Sequence, residues 1–553
     1  MLRRGSKLSS LILVSGLMLI GIACVRTSKL AAAEPQAGLQ KRWVFFWRDL
    51  SNPKEFDETI ALFPKAKADG YNGVALSCNI PAAKAAELKE AAKKNGLDIV
   101  AIVMGGSHDK NYCEGLLAKD AVFVAQNGKA TLQPDKPKLL NGDFEDVKDN
   151  HFSGWTLQDD DGVTSFADHT VVHGGKTSLR MESIGKNQYR HCRMAQPIKL
   201  LPHREYHVSV WIKTEKMAPA DPEIKVLVPT PQSCISFQTF HTEGTQDWKK
   251  CDVVFNSLDG GDATLYLGSW SGKDGKVWWD DLILEEIGLV NVLRRPGCPV
   301  TVTAEDGTAF EEGKDFEQIV DPNLHPWIPY HEQPAIKLTA NSRIKDGQKL
   351  KVSYYHSVVV YEDRVTSCLS EQKIFDEWRT EVKQVEDLIH PAAFLMSHDE
   401  LRVINQCALC QSKKLTAGKL LAWNVREAAK IIRQMRPDAG IWVWNDMFDP
   451  QHNALDQFYL VNGSLKGSWE GLDKDVGIVN WNGGLVGKNC QFFADLGLKQ
   501  ILSGYYDGDE DGSQIAKWLD ATKGVSGIAG VMYTTWESKY GALDAWAKKA
   551  WGK

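Results

Sequence analysis

The sequence predicts an α/β fold: a (β/α)8 TIM barrel interrupted after its third strand by a β-sandwich and a second small β-rich unit. Three observations carry this reading. Strand and helix signals alternate between Trp43 and Met104, they give way to purely strand-like patterning from Leu139 to Glu286, and they resume at Glu371. Three strands before the interruption and five after it give the eight that close a parallel barrel.

The elements follow in order. Trp43 to Trp47 is a short apolar strand, and Pro53 to Ala68 an amphipathic helix closed by Asp69-Gly70. Gly73 to Ser77 is the second strand, followed by a helix over Pro81 to Lys94 closed by Asn95-Gly96. Asp98 to Met104 is the third strand. The middle of the chain has short alternating segments and Gly, Asn and Asp turns, among them His207 to Ile212, Ala263 to Tyr266 and Val277 to Leu284. Residues 288–370 repeat that texture, with Val300 to Thr303, Ile336 to Thr339, Leu350 to His356 and the tight turn Lys345-Asp346-Gly347. A helix then runs from Glu371 to about Leu388. The remaining strands are Ala392 to Met396, Ile441 to Trp444, Gly477 to Asn480, Gln500 to Gly504 and Ile528 to Tyr533. Helices cover Ala417 to Met435 and Tyr540 to Trp551. The domains expected are a first barrel part at 34–138, the sandwich at 139–287, the small β unit at 288–370 and a second barrel part at 371–553.

Residues 1–33 read as an export signal. Arg3, Arg4 and Lys7 precede an apolar run from Leu11 to Ala23, and Ala31-Ala32-Ala33 offers a cleavage site. Cys24 is an alternative lipid-anchor position. The run is short for a lasting membrane span, so an exported protein is expected. A net charge of −6 over 553 residues gives no reason to expect nucleic acid or an anionic membrane as partner. Ten cysteines follow Cys24, and their spacing does not reveal pairing. Cys407-Ala408-Leu409-Cys410 is a lone C-x-x-C, read as structural rather than as a zinc site.

The chemistry is expected where the strands end. The fourth strand delivers Ser397, His398, Asp399 and Glu400 in a row, with Arg402 just beyond. Adjacent carboxylates push each other's pKa values apart, so one stays charged while the other carries a proton. The plain alternative is a solvated acidic turn. The other strand ends are also polar and aromatic: Trp47-Arg48-Asp49, His108, Trp444-Asn445-Asp446, Asn480-Trp481-Asn482, Tyr505-Tyr506-Asp507 and Trp536-Glu537. In a barrel they converge on one mouth. The chain carries 19 Trp, many beside polar residues, which suits sugars that stack on indole and need hydrogen-bond partners.

On these residues the barrel resembles the family 20 glycoside hydrolases, the β-N-acetylhexosaminidases and their relatives. The resemblance implies that Glu400 protonates the leaving oxygen and that Asp399 orients the substrate's own acetamido group as nucleophile. It implies Arg48, Tyr505 or Tyr506, Trp536 and Glu537 as sugar-binding groups. His398, Trp444, Asp446, Asn480, Trp481 and Asp507 join that candidate set by position, although His398 serves equally well as a structural group. A general acid needs a raised pKa, so Glu400 is expected to have one. The run Met396-Ser397-His398-Asp399-Glu400 lacks the glycines usual before the family's acidic pair.

The middle segment opens with Asn141-Gly142-Asp143-Phe144-Glu145 and closes with Trp278-Trp279-Asp280-Asp281. It resembles carbohydrate-binding modules of families 4 and 9. The resemblance implies a structural Ca²⁺ with Glu145 and Asp280 as ligands; catalysis requires no cofactor. The expected function is an exported glycoside hydrolase acting on N-acetylhexosamine-containing glycans by substrate-assisted retaining catalysis. A two-carboxylate retaining mechanism, with Glu537 or Asp446 as nucleophile, and a non-catalytic carbohydrate-binding surface protein are the alternatives.

Overall fold

A computed structural model describes residues 38–553, apart from 107–108, 160–161, 187–191, 220, 230–232, 271–273 and 362–363. The export signal, Cys24 and His108 lie outside the described residues. Eight parallel strands close a barrel: Lys41–Phe46, Gly73–Ser77, Asp98–Val103, Ala393–Met396, Gly440–Trp444, Val476–Asn480, Gln500–Leu502 and Ile528–Tyr533, the last pairing with the first. The third pairs directly with the fourth, Val100 to Ala393 through Val103 to Met396, although nearly 300 residues separate them.

Each strand is apolar on both faces because one face fills the lumen and the other meets helices. Trp43 and Phe45 point inward, while Val44 and Phe46 join the helix-side core. The lumen is filled by large side chains set over small ones. The Trp43 indole lies over Gly73 of the next strand, and the Trp442 indole over Gly477. The two rings meet edge-to-face across the lumen at 5.4 Å.

Helices follow most strands, with Pro53–Ala61 capped by Asn52 and Ala417–Met435 capped by Thr416. The exception to a full (β/α)8 pattern is the link between the fifth and sixth strands. Among the described residues it holds two 3₁₀ turns, Asp446–Phe448 and Ser468–Gly471, and no α-helix. The carboxylate of Asp449, at the end of the first turn, accepts the Asn445 amide at 2.9 Å and the Gln451 N–H at 2.8 Å, which folds the chain into a loop.

Among the described residues, no strand of the middle segment enters the barrel. Two five-stranded antiparallel sheets form a sandwich: one is built around Glu205–Ala218 and Asp274–Ile287, the other around Cys192–Leu200, Glu223–Val228 and Gly261–Ser269. A six-stranded sheet shares no strand with either and packs against the first through Tyr354 and Glu205. It includes Thr301–Ala304 and Lys349–His356, and also Leu116–Gln126 and Lys129–Leu132. The last two strands fall in the stretch assigned by sequence to the first barrel part. They pair instead with the later unit, Leu116 with His356 through Val124 with Lys349, because their alternating burial suits a sheet with one packed face. No helix among the described residues is long and apolar enough to cross a membrane.

The lumen packing makes a direct prediction. A Cβ at Gly477 would lie 2.2 Å from the Trp442 ring, so Gly477→Ala should cost about 1–3 kcal/mol, read as a lowered melting temperature.

Candidate active site

The fourth strand ends at Met396, and the chain turns sharply at Glu400, whose φ of 51° is left-handed. That region is uncommon for Glu and carries a modest strain that the surroundings must hold. The holding contacts are specific. The Glu400 N–H donates to Asp446 Oδ2 at 2.8 Å. Arg402 Nη2 donates to Glu400 Oε1 at 2.9 Å, and Arg364 Nη1 lies 2.7 Å from Glu400 Oε2 and 3.6 Å from Asp399 Oδ2. Arg402 is almost fully buried, and its guanidinium lies 4.3 Å from the Tyr361 ring centre and 5.2 Å from that of Tyr459.

These charges set the protonation pattern. Burial alone would raise the pKa of Glu400, but Arg402 and Arg364 outweigh it and hold the carboxyl below its usual value. The raised pKa expected for Glu400 is therefore corrected: two guanidinium groups keep it ionised. Asp399 is raised by burial and by the Glu400 charge, with Arg364 opposing. Asp446, fully buried, is pushed up to about 7 by burial and by Asp399 and Glu400, against the hydrogen bonds it accepts from Glu400 N–H and Asn453.

Other expected residues divide into those at the mouth and those behind it. Trp481 donates from its indole to Asp446 Oδ1 at 3.3 Å and meets His452 edge-to-face at 4.4 Å. Trp47, Tyr505 and Trp536 are exposed, and Trp47 and Trp536 meet edge-to-face at 5.7 Å. Asp507 accepts the Thr535 hydroxyl and the Trp536 N–H, the latter at 2.8 Å, which fixes the eighth-strand loop. Glu537 pairs with Lys539 at 2.6 Å.

Five candidates face elsewhere. Arg48 turns to Thr59 and Glu58 of the first helix and lies over the Tyr540 ring, away from the carboxylates. His398 is buried, bonded to Asn424 and packed by Trp378 and Phe448. Burial lowers its pKa to about 4, so it is neutral and structural. Asn480 is buried and donates to Cys490 on the following helix. Tyr506 is buried against Tyr533 and Trp546. Trp444 belongs to the lumen, edge-to-face with Phe45 at 5.8 Å. For Trp444 and Asn480, the last residues of their strands, the side is set by strand alternation, while Arg48, His398 and Tyr506 lie beyond the strand ends and are placed by the contacts of their loops.

The sequence reading missed Arg364 and Tyr361 from the returning insert, and His452, Asn453 and Tyr459 from the fifth-strand loop. The polar run Gln451-His452-Asn453 was a signal for the loop residues. Arg364 stands in an unmarked stretch and had none.

The sandwich adds a groove of about 510 Å³ whose lining includes Arg193, Lys225, Phe237, Tyr266, Trp270 and Tyr459. Lys225 Nζ is 3.8 Å from the Phe237 ring centre and 3.7 Å from that of Trp270. Phe237 meets Tyr361 edge-to-face at 4.5 Å. A chain of contacts thus runs from the groove through Phe237, Tyr361 and Arg402 to Glu400, and Tyr459 lines the groove and packs beside Arg402. Glu145 and Asp280 lie elsewhere in the sandwich. Glu145 Oε1 accepts the N–H groups of Lys176 and Thr177, and Asp280 Oδ2 those of His173 and Gly174. These bonds latch the 173–177 loop to both carboxylates.

Comparison with known proteins bears on the sandwich. A family model described as a carbohydrate binding domain, of the family 4 and 9 type, matches residues 136–275. The matched residues span the sandwich and stop within its last long strand. Among solved structures, a family 16 carbohydrate-binding module is 23% identical, covering 26% of this chain and 96% of its own, with a TM-score of 0.21. A structure described as "CBM4 structure and function" is 17% identical, covering 27% and 100%, with a TM-score of 0.21. A cyclase from Fischerella sp. TAU is 14% identical, covering 28% and 98%, with a TM-score of 0.24. At these TM-scores the likenesses decide nothing about function. The comparison with curated proteins found no match.

The raised pKa of Asp446 has a measurable sign. A carboxyl at about 7 in the fold against 3.8 for the ordinary group favours the fold at low pH, and that contribution is lost as pH rises through about 7. In thermal melts from pH 4 to 8, the stability of wild type relative to Asp446→Asn should therefore fall as pH rises.

Proposed function

We propose that this protein is an exported glycoside hydrolase whose barrel mouth cleaves a glycan that the sandwich groove also holds. The observation that carries the reading is the carboxylate cluster of Asp399, Glu400 and Asp446, split by its surroundings into ionised and protonatable members beside exposed indoles. Glycosidic cleavage needs one carboxyl that gives a proton and a second that stays charged toward the oxocarbenium-like transition state. Asp399, raised and partly exposed, suits the proton donor. Glu400, held by two arginines, suits the charged partner. This reverses the roles that the family 20 resemblance implies. Asp446 is fully enclosed and acts through its hydrogen bond to the Glu400 backbone, as a positioning residue.

The substrate class we favour is an N-acetylhexosamine-containing glycan, cleaved with the substrate's acetamido group as nucleophile. Its supports are the acidic pair at the fourth-strand end and the mouth positions of Tyr505 and Trp536. The two-carboxylate alternative loses one candidate, because Asp446 is enclosed, and keeps Glu537.

Kinetics on aryl glycosides test the assignment. Asp399→Asn should lower kcat by about 10²–10⁴-fold on poor leaving groups and much less on activated ones. Glu400→Gln should slow both alike. The reverse pattern would restore the roles implied by the resemblance, and wild type inert on every glycoside in a broad panel would leave a non-catalytic glycan-binding protein. A thiazoline inhibitor tests the acetamido route.

The groove has its own test. Trp270→Ala should weaken glycan binding by roughly tenfold, about 1.4 kcal/mol, in calorimetry with oligosaccharides long enough to span groove and mouth. Hydrolysis of a short aryl monosaccharide should stay unchanged.

A further inference from the structure

We propose that Glu114, Cys368, Cys407 and Cys410 form a tetrahedral site for one zinc ion, at the junction where the inserted units leave and rejoin the barrel. The inference is independent of the glycosidase reading. One ligand atom from each residue lies within 4.8 Å of all the others, and all four residues are buried. Cys368 Sγ is 3.6 Å from Cys407 Sγ and 3.5 Å from Cys410 Sγ, and Cys410 Sγ is 3.4 Å from Glu114 Oε2. Ligands at about 2.0–2.3 Å from a tetrahedral zinc stand roughly 3.3–3.8 Å apart. The three separations match three of the six edges of such a site, and all six lie within 4.8 Å.

The surroundings fit a bound cation. Glu114 Oε1 accepts the N–H groups of Gln406 and Cys407 at 2.8 and 2.7 Å, which orients the carboxylate and turns Oε2 to the thiols. An outer contact of this kind fixes a metal ligand. Three thiolates and a carboxylate leave excess negative charge around a divalent ion. Arg295, nearly fully enclosed, supplies a compensating charge. It is held by the carbonyls of Asn111 and Cys113 at 2.9 and 3.0 Å and by the Glu371 carboxylate at 3.2 Å, and its charge also acts on Cys368 and Cys407. Three sulfurs favour zinc over the harder magnesium or calcium.

The location gives the ion a task. Glu114 follows the third strand, where the chain departs; Cys368 lies where it returns; Cys407 and Cys410 begin the short helix Ala408–Ser412 just beyond Asp399, Glu400 and Arg402. One ion would tie departing chain, returning chain and mouth loop together. Cys298 stands nearby, as a partner of Cys407, and is the competing fourth ligand.

Metal analysis of the full chain, purified without chelators, should find one zinc per molecule. Cobalt exchanged into the site should show thiolate-to-metal charge-transfer absorption. Cys410→Ser should lose both signals, Glu114→Gln should weaken metal retention against a competing chelator, and Cys298→Ser should keep the metal. Removing zinc should lower the melting temperature of wild type and leave that of Cys410→Ser unchanged. Two wild-type results would overturn the proposal even if the variants misfold: a metal-free protein with these thiols free, or a disulfide joining Cys368 to Cys407 or Cys410 in non-reducing peptide mapping. Loss of metal in Cys298→Ser with full retention in Glu114→Gln would overturn the ligand set.

Discussion

The buried guanidinium of Arg402 is the contact on which the mouth depends. It grips Glu400 from one side while Tyr361 and Tyr459 flank its plane. A charge taken out of water needs partners on every face, and here the partners come from three places: the fourth-strand loop, the returning insert and the fifth-strand loop. Its Nε already has no hydrogen-bond partner, so removing any of these contacts would expose the charge further. The interaction therefore couples barrel and insert more tightly than apolar contact alone would.

That coupling explains two departures from a regular barrel. The link between the fifth and sixth strands lacks an α-helix and becomes a loop that delivers Asp446, His452, Asn453 and Tyr459 to the mouth. The insert does not merely hang from the third strand, because Tyr361 joins Phe237 of the sandwich to Arg402. The sandwich groove is thus linked to the carboxylates through Phe237, Tyr361 and Arg402.

The carboxylate cluster shows why local chemistry is not readable from residue type. Asp399, Glu400 and Asp446 are three acids within a few ångströms of shared surroundings, yet the arginines lower one while burial raises the other two. The adjacent pair announced that their pKa values would separate. It could not announce the order, because Arg364 approaches from a segment distant in sequence and carries no motif of its own.

The sequence alone determined the eight barrel strands, their interruption after the third, the sandwich and most of its outline. Each rests on local periodicity and turn chemistry, which a strand or helix carries within itself. It also marked the fourth-strand acids and the aromatic mouth at Trp47, Tyr505 and Trp536. Tertiary structure alone decided which member of each polar cluster faces the mouth. Asn480 turned outward because a strand's side chains alternate sides, with the register set by pairing across the barrel, and His398 and Tyr506, beyond their strand ends, turned inward to the packing of Trp378, Asn424, Tyr533 and Trp546. It also decided that Leu116–Gln126 joins a sheet with a strand more than 200 residues later, and that a lone C-x-x-C finds its companions at Glu114 and Cys368. These are long-range contacts, and no short window of sequence contains both partners.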